Sequence, residues 1–194
     1  MKPPLFTQLT EDSKEKAFLL KNPKTSEYTK CKNEILGKTF NWNRIEKSPA
    51  GAKSDYDNYD NFPFLSHNFL IRPGGIDNTN LYSMVSCRNI LAVQQLFREI
   101  AKHNELDPKV IYMITANAVN PTANNLPFPP QVNHEFPHYT MIVYLSDPHG
   151  GSTIVDGQEY DTEEDDVLIF DGKEKYCTKP PSKNTRISLI TTFL

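Results

Sequence analysis

From Lys109 onward the chain is a series of short apolar segments, each closed by turn chemistry, and few folds other than a β-sandwich or barrel can use that pattern. The segments are Val110–Ala116, Tyr139–Leu145, Ser152–Val155, Val167–Phe170 and Arg186–Phe193. A proline- and asparagine-rich loop follows the first and runs through Pro130. The others are joined by Asp147-Pro-His-Gly-Gly151, Asp156-Gly157, Asp171-Gly172 and Pro180-Pro-Ser-Lys-Asn184. Gly, Pro, Asn and Asp at such spacing supply the backbone angles that tight turns need.

The first half adds mixed elements. Lys16–Leu20 predicts a short strand. Ser26 to Leu36 predicts a helix with Ser26 as N-cap and Gly37 beyond its end. Thr39–Ile45 alternates apolar and polar residues, as a strand with one buried face does. Residues 48–60, rich in Asp, Asn and Ser, predict a surface loop. Phe62–Ile71 returns to strand character and stops at Pro73-Gly74-Gly75. A long helix is predicted over 80–104, capped by Asn78 or Thr79, because Val93, Leu96, Phe97 and Ile100 form one apolar stripe. Residues 1–14 are polar with two prolines and are expected to form an N-terminal arm, leaving 15–194 as a single domain. The fold class that results is α+β, a jelly roll carrying N-terminal strands and one long helix.

Several function classes are disfavoured by what the chain lacks. A formal charge of −3 and a pI near 6.0 leave no basic footprint, so no nucleic-acid partner is expected. No run of about 18 apolar residues exists, so no membrane partner is expected, and the N-terminus lacks an apolar signal region. The expected location is cytoplasmic. Cys31, Cys87 and Cys177 are odd in number and share no metal-binding spacing, which favours a reducing compartment and core or surface packing roles. Glu163–Asp166 precede a strand and predict a solvated turn, without the D-x-D-x-D-G pattern of a calcium loop.

Four stretches carry a family resemblance: Phe136-Pro-His-Tyr-Thr-Met-Ile-Val-Tyr-Leu-Ser146, Gly150-Gly-Ser-Thr-Ile154, Val167-Leu-Ile-Phe-Asp-Gly172 and Asn184-Thr-Arg-Ile-Ser188. With them, the second half resembles the 2-oxoglutarate/Fe(II) oxygenases related to prolyl 4-hydroxylase, above all the small members carried by bacteriophages. The resemblance implies a double-stranded β-helix core. It also implies a facial triad of two His and one carboxylate on Fe(II), in the form H-x-D or H-x-E and then a distant His. An Arg about ten residues later would pair with the far carboxylate of 2-oxoglutarate.

Arg186 matches that last item; its competing reading is a solvated charge on a strand. The triad positions do not match. Gln131 and Asn133 stand where H-x-D is expected, and Tyr176 stands ten residues before Arg186 in place of the distal His. Neutral amides and a phenol offer neither imidazole nor charge to a divalent cation. His134 and His138, with Glu135 between them, are the fallback metal candidates; Pro137 breaks the regular geometry of that segment. His67 reads as a satisfied core histidine, His149 as an exposed turn residue and His103 as a helix-end cation. The expectation is therefore a non-catalytic oxygenase-like module, with a binding or structural role, no cofactor, and other protein subunits as partners. A phage-type member would be a neck, tail or capsid-associated component, located in the host cytoplasm or the virion. The alternative is an active Fe(II)- and 2-oxoglutarate-dependent hydroxylase with an atypical ligand set.

Overall fold

The computed structural model describes residues 15–45, 63–71 and 83–194. The arm 1–14, the 48–60 loop, the Pro73-Gly74-Gly75 turn and the proposed caps Asn78 and Thr79 lie outside the described residues. The elements in chain order are β1 (Ala17–Leu20), α1 (Ser26–Ile35), β2 (Asn43–Ile45), β3 (Phe64–Ile71), β4 (Met84–Val85), α2 (Ile90–His103), β5 (Ile111–Val119), β6 (Tyr139–Tyr144), β7 (Ser152–Val155), β8 (Gln158–Asp161), β9 (Val167–Asp171), β10 (Tyr176–Thr178) and β11 (Arg186–Phe193).

Two antiparallel sheets form the core. The larger runs β1-β9-β6-β11-β5-β3-β2, with β4 also on β3, and the smaller runs β10-β7-β8. Strand alternation sorts the central strands into two faces. Met141, Val143, Leu145, Val167, Ile169, Leu189, Phe193, Ile114 and Ala116 face α1 and α2, where Val93, Leu96, Phe97 and Ile100 complete one core. The intervening residues Ile142, Tyr144, Leu168, Phe170 and Ile190 face the smaller sheet and pack with Val155 and Tyr176. Each fully buried aliphatic or aromatic side chain of this kind contributes about 1.5–3 kcal/mol of transfer free energy. A third, small cluster of Phe64, Val119 and Phe128 lies beside the interior. The β7–β8 turn places Asp156 at φ +47° and Gly157 at φ +80°, the two left-handed positions of a tight hairpin.

Several expectations are corrected. Thr25, not Ser26, caps α1: its side chain accepts from Tyr28 N at 3.1 Å. The 39–45 strand is reduced to Asn43–Ile45, because Phe40 and Trp42 instead pack on the helical core. The long helix begins at Ile90 rather than near residue 80. Met84 and Val85 pair with Ile71 and Leu70 as β4, and Ser86 N donates to Phe69 O, so pairing with β3 overrides helix formation there. β8 and β10 add strands beyond those read in the sequence. The Glu163–Asp166 turn is not merely solvated, since Asp165 joins Lys32, Lys24 and the Tyr28 hydroxyl and ties the turn to α1. Among the described residues the three cysteines are free, Cys31 and Cys177 buried and Cys87 half-buried. Among the described residues His67 is satisfied on one side only: Nδ1 bonds Asn41 O, while Nε2 is buried without a partner. His149 is half-buried at φ +47° in its turn, with Nε2 3.0 Å from Asn184.

Candidate functional site

The interior between the two sheets is approached by a segment that precedes β6. Phe128 N donates to Thr178 O at 2.8 Å, while Gln131 and Tyr176 exchange both backbone hydrogen bonds at 2.9 and 3.0 Å. Residues 128–131 therefore lie along β10 as a further, irregular strand. Pro129 and Pro130 donate no amide hydrogen bond, which keeps that pairing short.

This pairing brings together side chains more than 40 residues apart in sequence. Gln131 Nε2 donates to the Tyr176 hydroxyl at 3.2 Å, and that hydroxyl donates to Asn133 Oδ1 at 3.1 Å. The Asn133 amide nitrogen continues toward Thr140 Oγ1 at 3.4 Å. Gln131, Asn133 and Tyr176 thus form one directional chain of neutral groups. Tyr176 is 3% exposed, and its ring packs on Phe170 with centroids 5.1 Å apart. Burial raises the phenol's pKa, outweighing the Gln131 N–H that favours the phenolate.

Arg186 also faces this interior, but its hydrogen bonds go elsewhere. It is 3% exposed, which overturns the reading of a solvated strand charge. Nη1 donates to Ser152 O at 2.8 Å and Nη2 to Thr153 Oγ1 at 2.7 Å. The guanidinium lies 4.8 Å from the centre of the Tyr144 ring, whose hydroxyl shares a 2.7 Å hydrogen bond with Thr153 Oγ1. Among the described residues no carboxylate pairs with it, and Nε is buried without a partner. Desolvation lowers its pKa.

His134 and His138 meet ring to ring. Their ring centroids are 4.8 Å apart, and Phe136 stacks on His134 at 4.8 Å with Tyr112 edge-on. His134 Nε2 shares a hydrogen bond with Thr192 Oγ1 at 2.8 Å, while His138 Nδ1 donates to Phe136 O at 2.8 Å. Glu135 between them is exposed. Among the described residues no three His, Cys, Asp or Glu side chains are grouped to hold a metal ion.

A small cavity of about 40 Å³ adjoins Gln131 and Tyr176. Its polar side chains, Asn117 and Ser188, are register partners on β5 and β11, and Asn117 also pairs with Ser66 on β3. Neither was singled out from the sequence. The available signal was parity: Asn117 interrupts the apolar strand that begins at Val110, and Ser188 shares the parity of Arg186.

No family model matches the sequence, and no curated protein does. Solved structures do match the fold. An oxidoreductase of the 2OG-Fe(II) oxygenase family from Burkholderia pseudomallei superposes with a TM-score of 0.67 over 96% of this chain and 87% of that one, at 12% identity. A Trichoplax adhaerens prolyl hydroxylase, solved with a hypoxia-inducible-factor peptide fragment, gives 0.60 over 97% and 86% at 11% identity. The fold is that of the 2OG-Fe(II) oxygenases. The non-heme α-ketoglutarate-dependent epimerase SnoN from nogalamycin biosynthesis shares the oxygenase fold too, with a TM-score of 0.55 over 93% and 78% at 13% identity. At these identities the likeness describes architecture: two facing antiparallel sheets, with helices on the outside of the larger one.

Proposed function

We propose that this chain is a non-catalytic, oxygenase-like jelly-roll module that works by binding other protein subunits. The observation that carries the proposal is the neutral chain Gln131–Tyr176–Asn133. If these positions correspond to a facial triad, they hold two amides and a buried phenol in place of two imidazoles and a carboxylate. Fe(II) does not suit that set. A divalent cation entering a dry interior must be repaid by anionic or strongly basic ligands. Tyr176 cannot readily supply a phenolate, because burial raises its pKa, and its hydroxyl is already shared between two amides. A fold keeps its architecture when such a site is lost, because the apolar faces and the ligand positions are separate residues. The resemblance to small phage-borne members supports a role within an assembly, such as a neck, tail or capsid-associated part of a virion.

The test is metal content and turnover. Protein prepared with Fe(II) and ascorbate is expected to hold far less than one iron per chain after desalting. It should release no succinate from 2-oxoglutarate above background. Stoichiometric iron that survives desalting would overturn the proposal, and His134 and His138 would then be the first ligands to replace.

A further inference from the structure

The walls of the cavity beside Tyr176 carry no charge. It is lined by Phe64, Val119, Phe128, Pro129 and Ile190 on its apolar sides and by Asn117, Gln131, Tyr176, Cys177, Thr178 and Ser188 on its polar ones. Two of these residues can ionise, and both are held neutral at pH 7. Burial raises the Tyr176 phenol, and burial with Glu159 nearby pushes the Cys177 thiol up to about 11. Arg186, which faces the same interior, is not among the lining residues. Its terminal nitrogens are committed to Ser152 O and Thr153 Oγ1, and the Tyr144 ring covers its face.

Unspent hydrogen-bonding capacity remains on the polar wall. Asn117 Oδ1 accepts from Ser66 Oγ at 2.9 Å, so its amide N–H groups are left to donate. Gln131 uses Nε2 on Tyr176, so its Oε1 is left to accept. The Ser188 hydroxyl has no protein partner among the described residues, and all three side chains are only partly buried. The cavity of about 40 Å³ has room for roughly three water-sized groups. A donor, an acceptor and a hydroxyl around a three-atom space, with an apolar wall opposite, complement one chemical group best: a carboxamide on an aliphatic stem. A carboxylate of the same size fits worse, because Gln131 Oε1 would repel it and no cation on the wall repays its desolvation.

We infer that this cavity receives the carboxamide of a Gln or Asn side chain presented by a protein partner, and discriminates against the isosteric carboxylate. The inference rests on the non-catalytic reading of the same interior. Three features of the chain meet in it: the 128–131 segment that walls one side, the Asn117–Ser188 register pair, and the Gln131–Tyr176 hydrogen bond.

The experiment titrates the full chain with N-acetylglutamine N-methylamide, its glutamate isostere, and 2-oxoglutarate, following the side-chain amide signals of Asn117 and Gln131 by NMR. The glutamine compound is expected to shift both signals saturably. The glutamate compound and 2-oxoglutarate should leave them in place at the same concentration. Ser188→Ala should weaken the glutamine compound by about three- to tenfold, the loss of one hydrogen bond. Ser188 is half-buried and Ala is smaller by one atom, so the variant should fold, and the native-chain titration tests the inference without it. Binding of the glutamate compound or 2-oxoglutarate at equal or lower concentration would overturn the inference, as would a glutamine response that never saturates. Iron content of the same preparation is read separately. Bound iron with saturable glutamine binding would sink the non-catalytic reading alone; an iron-free chain that ignores glutamine would sink the cavity assignment alone.

Discussion

His138 and Gly172 share one volume. A Cβ on Gly172 would lie 2.2 Å from the His138 ring, so the glycine is there to admit the imidazole. Gly172→Ala should therefore destabilise the fold by about 1–3 kcal/mol through overpacking, measured as a drop in the urea midpoint at unchanged slope. An unchanged midpoint would mean that the ring moves aside freely. The same imidazole makes stability depend on pH. It is 2% exposed, its Nε2 has no partner among the described residues, and burial lowers its pKa, against the opposing pull of the Phe136 carbonyl and Asp171. The unfolded chain then takes up a proton near the ordinary histidine value of about 6.5, while the folded one does not. Stability should hold above that pH, fall as pH drops below it, and stop falling on this account only beneath the depressed native value. Urea melts between pH 7.5 and 5 check this, because His138→Gln should flatten the slope relative to the native chain.

At the scale of elements, α2 shows how one helix divides its labour. Val93, Leu96, Phe97 and Ile100 are buried against the sheet, whereas Leu91 on the same helix is 74% exposed. Leu96→Ala should cost about 2–5 kcal/mol, transfer plus cavity, while Leu91→Ala should stay within about 0.5 kcal/mol. Equal costs in chemical denaturation would mean that the exposed face is covered in solution. The contrast also explains why this helix was legible at its centre and not at its start. The stripe at i, i+3, i+4 and i+7 is a local signal, but the first turn competes with β4, whose hydrogen bonds come from residues of β3 about 15 positions earlier.

At the scale of the whole molecule, the chain shares the architecture of the 2OG-Fe(II) oxygenases, and its interior holds the neutral chain Gln131–Tyr176–Asn133. If Gln131, Asn133 and Tyr176 occupy the ligand positions, three substitutions suffice for a rescue. Gln131→His, Asn133→Asp and Tyr176→His together should create Fe(II) or Mn(II) binding visible by calorimetry, since the three positions already meet through hydrogen bonds. The Gln and Asn changes conserve size. Replacing a Tyr that is 3% exposed removes volume and should cost about 1–3 kcal/mol. Each single substitution should gain little, because one imidazole or carboxylate holds the ion weakly. A triple variant that folds and binds no metal would show that these positions do not compose a triad.

The periodicities were readable without any structure. Tyr139–Leu145 is a short apolar run bounded by turn residues, which specified a strand; the Asp156-Gly157 pair specified a tight turn; the α2 stripe specified a helix with one buried face. These signals are carried by residues a few positions apart, where backbone geometry alone relates one side chain to the next. The likeness to the oxygenases added an expected grouping of Gln131, Asn133, Tyr176 and Arg186, drawn from a known fold and not from the chain's own periodicity. What the tertiary structure decided is who pairs with whom. The Tyr176 hydroxyl sits between Gln131 and Asn133 because residues 128–131 run along β10. Arg186 is buried and bonded to Ser152 and Thr153 because β11 faces β7 across the interior. The Ser66–Asn117–Ser188 row exists only once β3, β5 and β11 are in register. Each of these depends on contacts across 30 or more residues, and no local pattern encodes the partner at the far end.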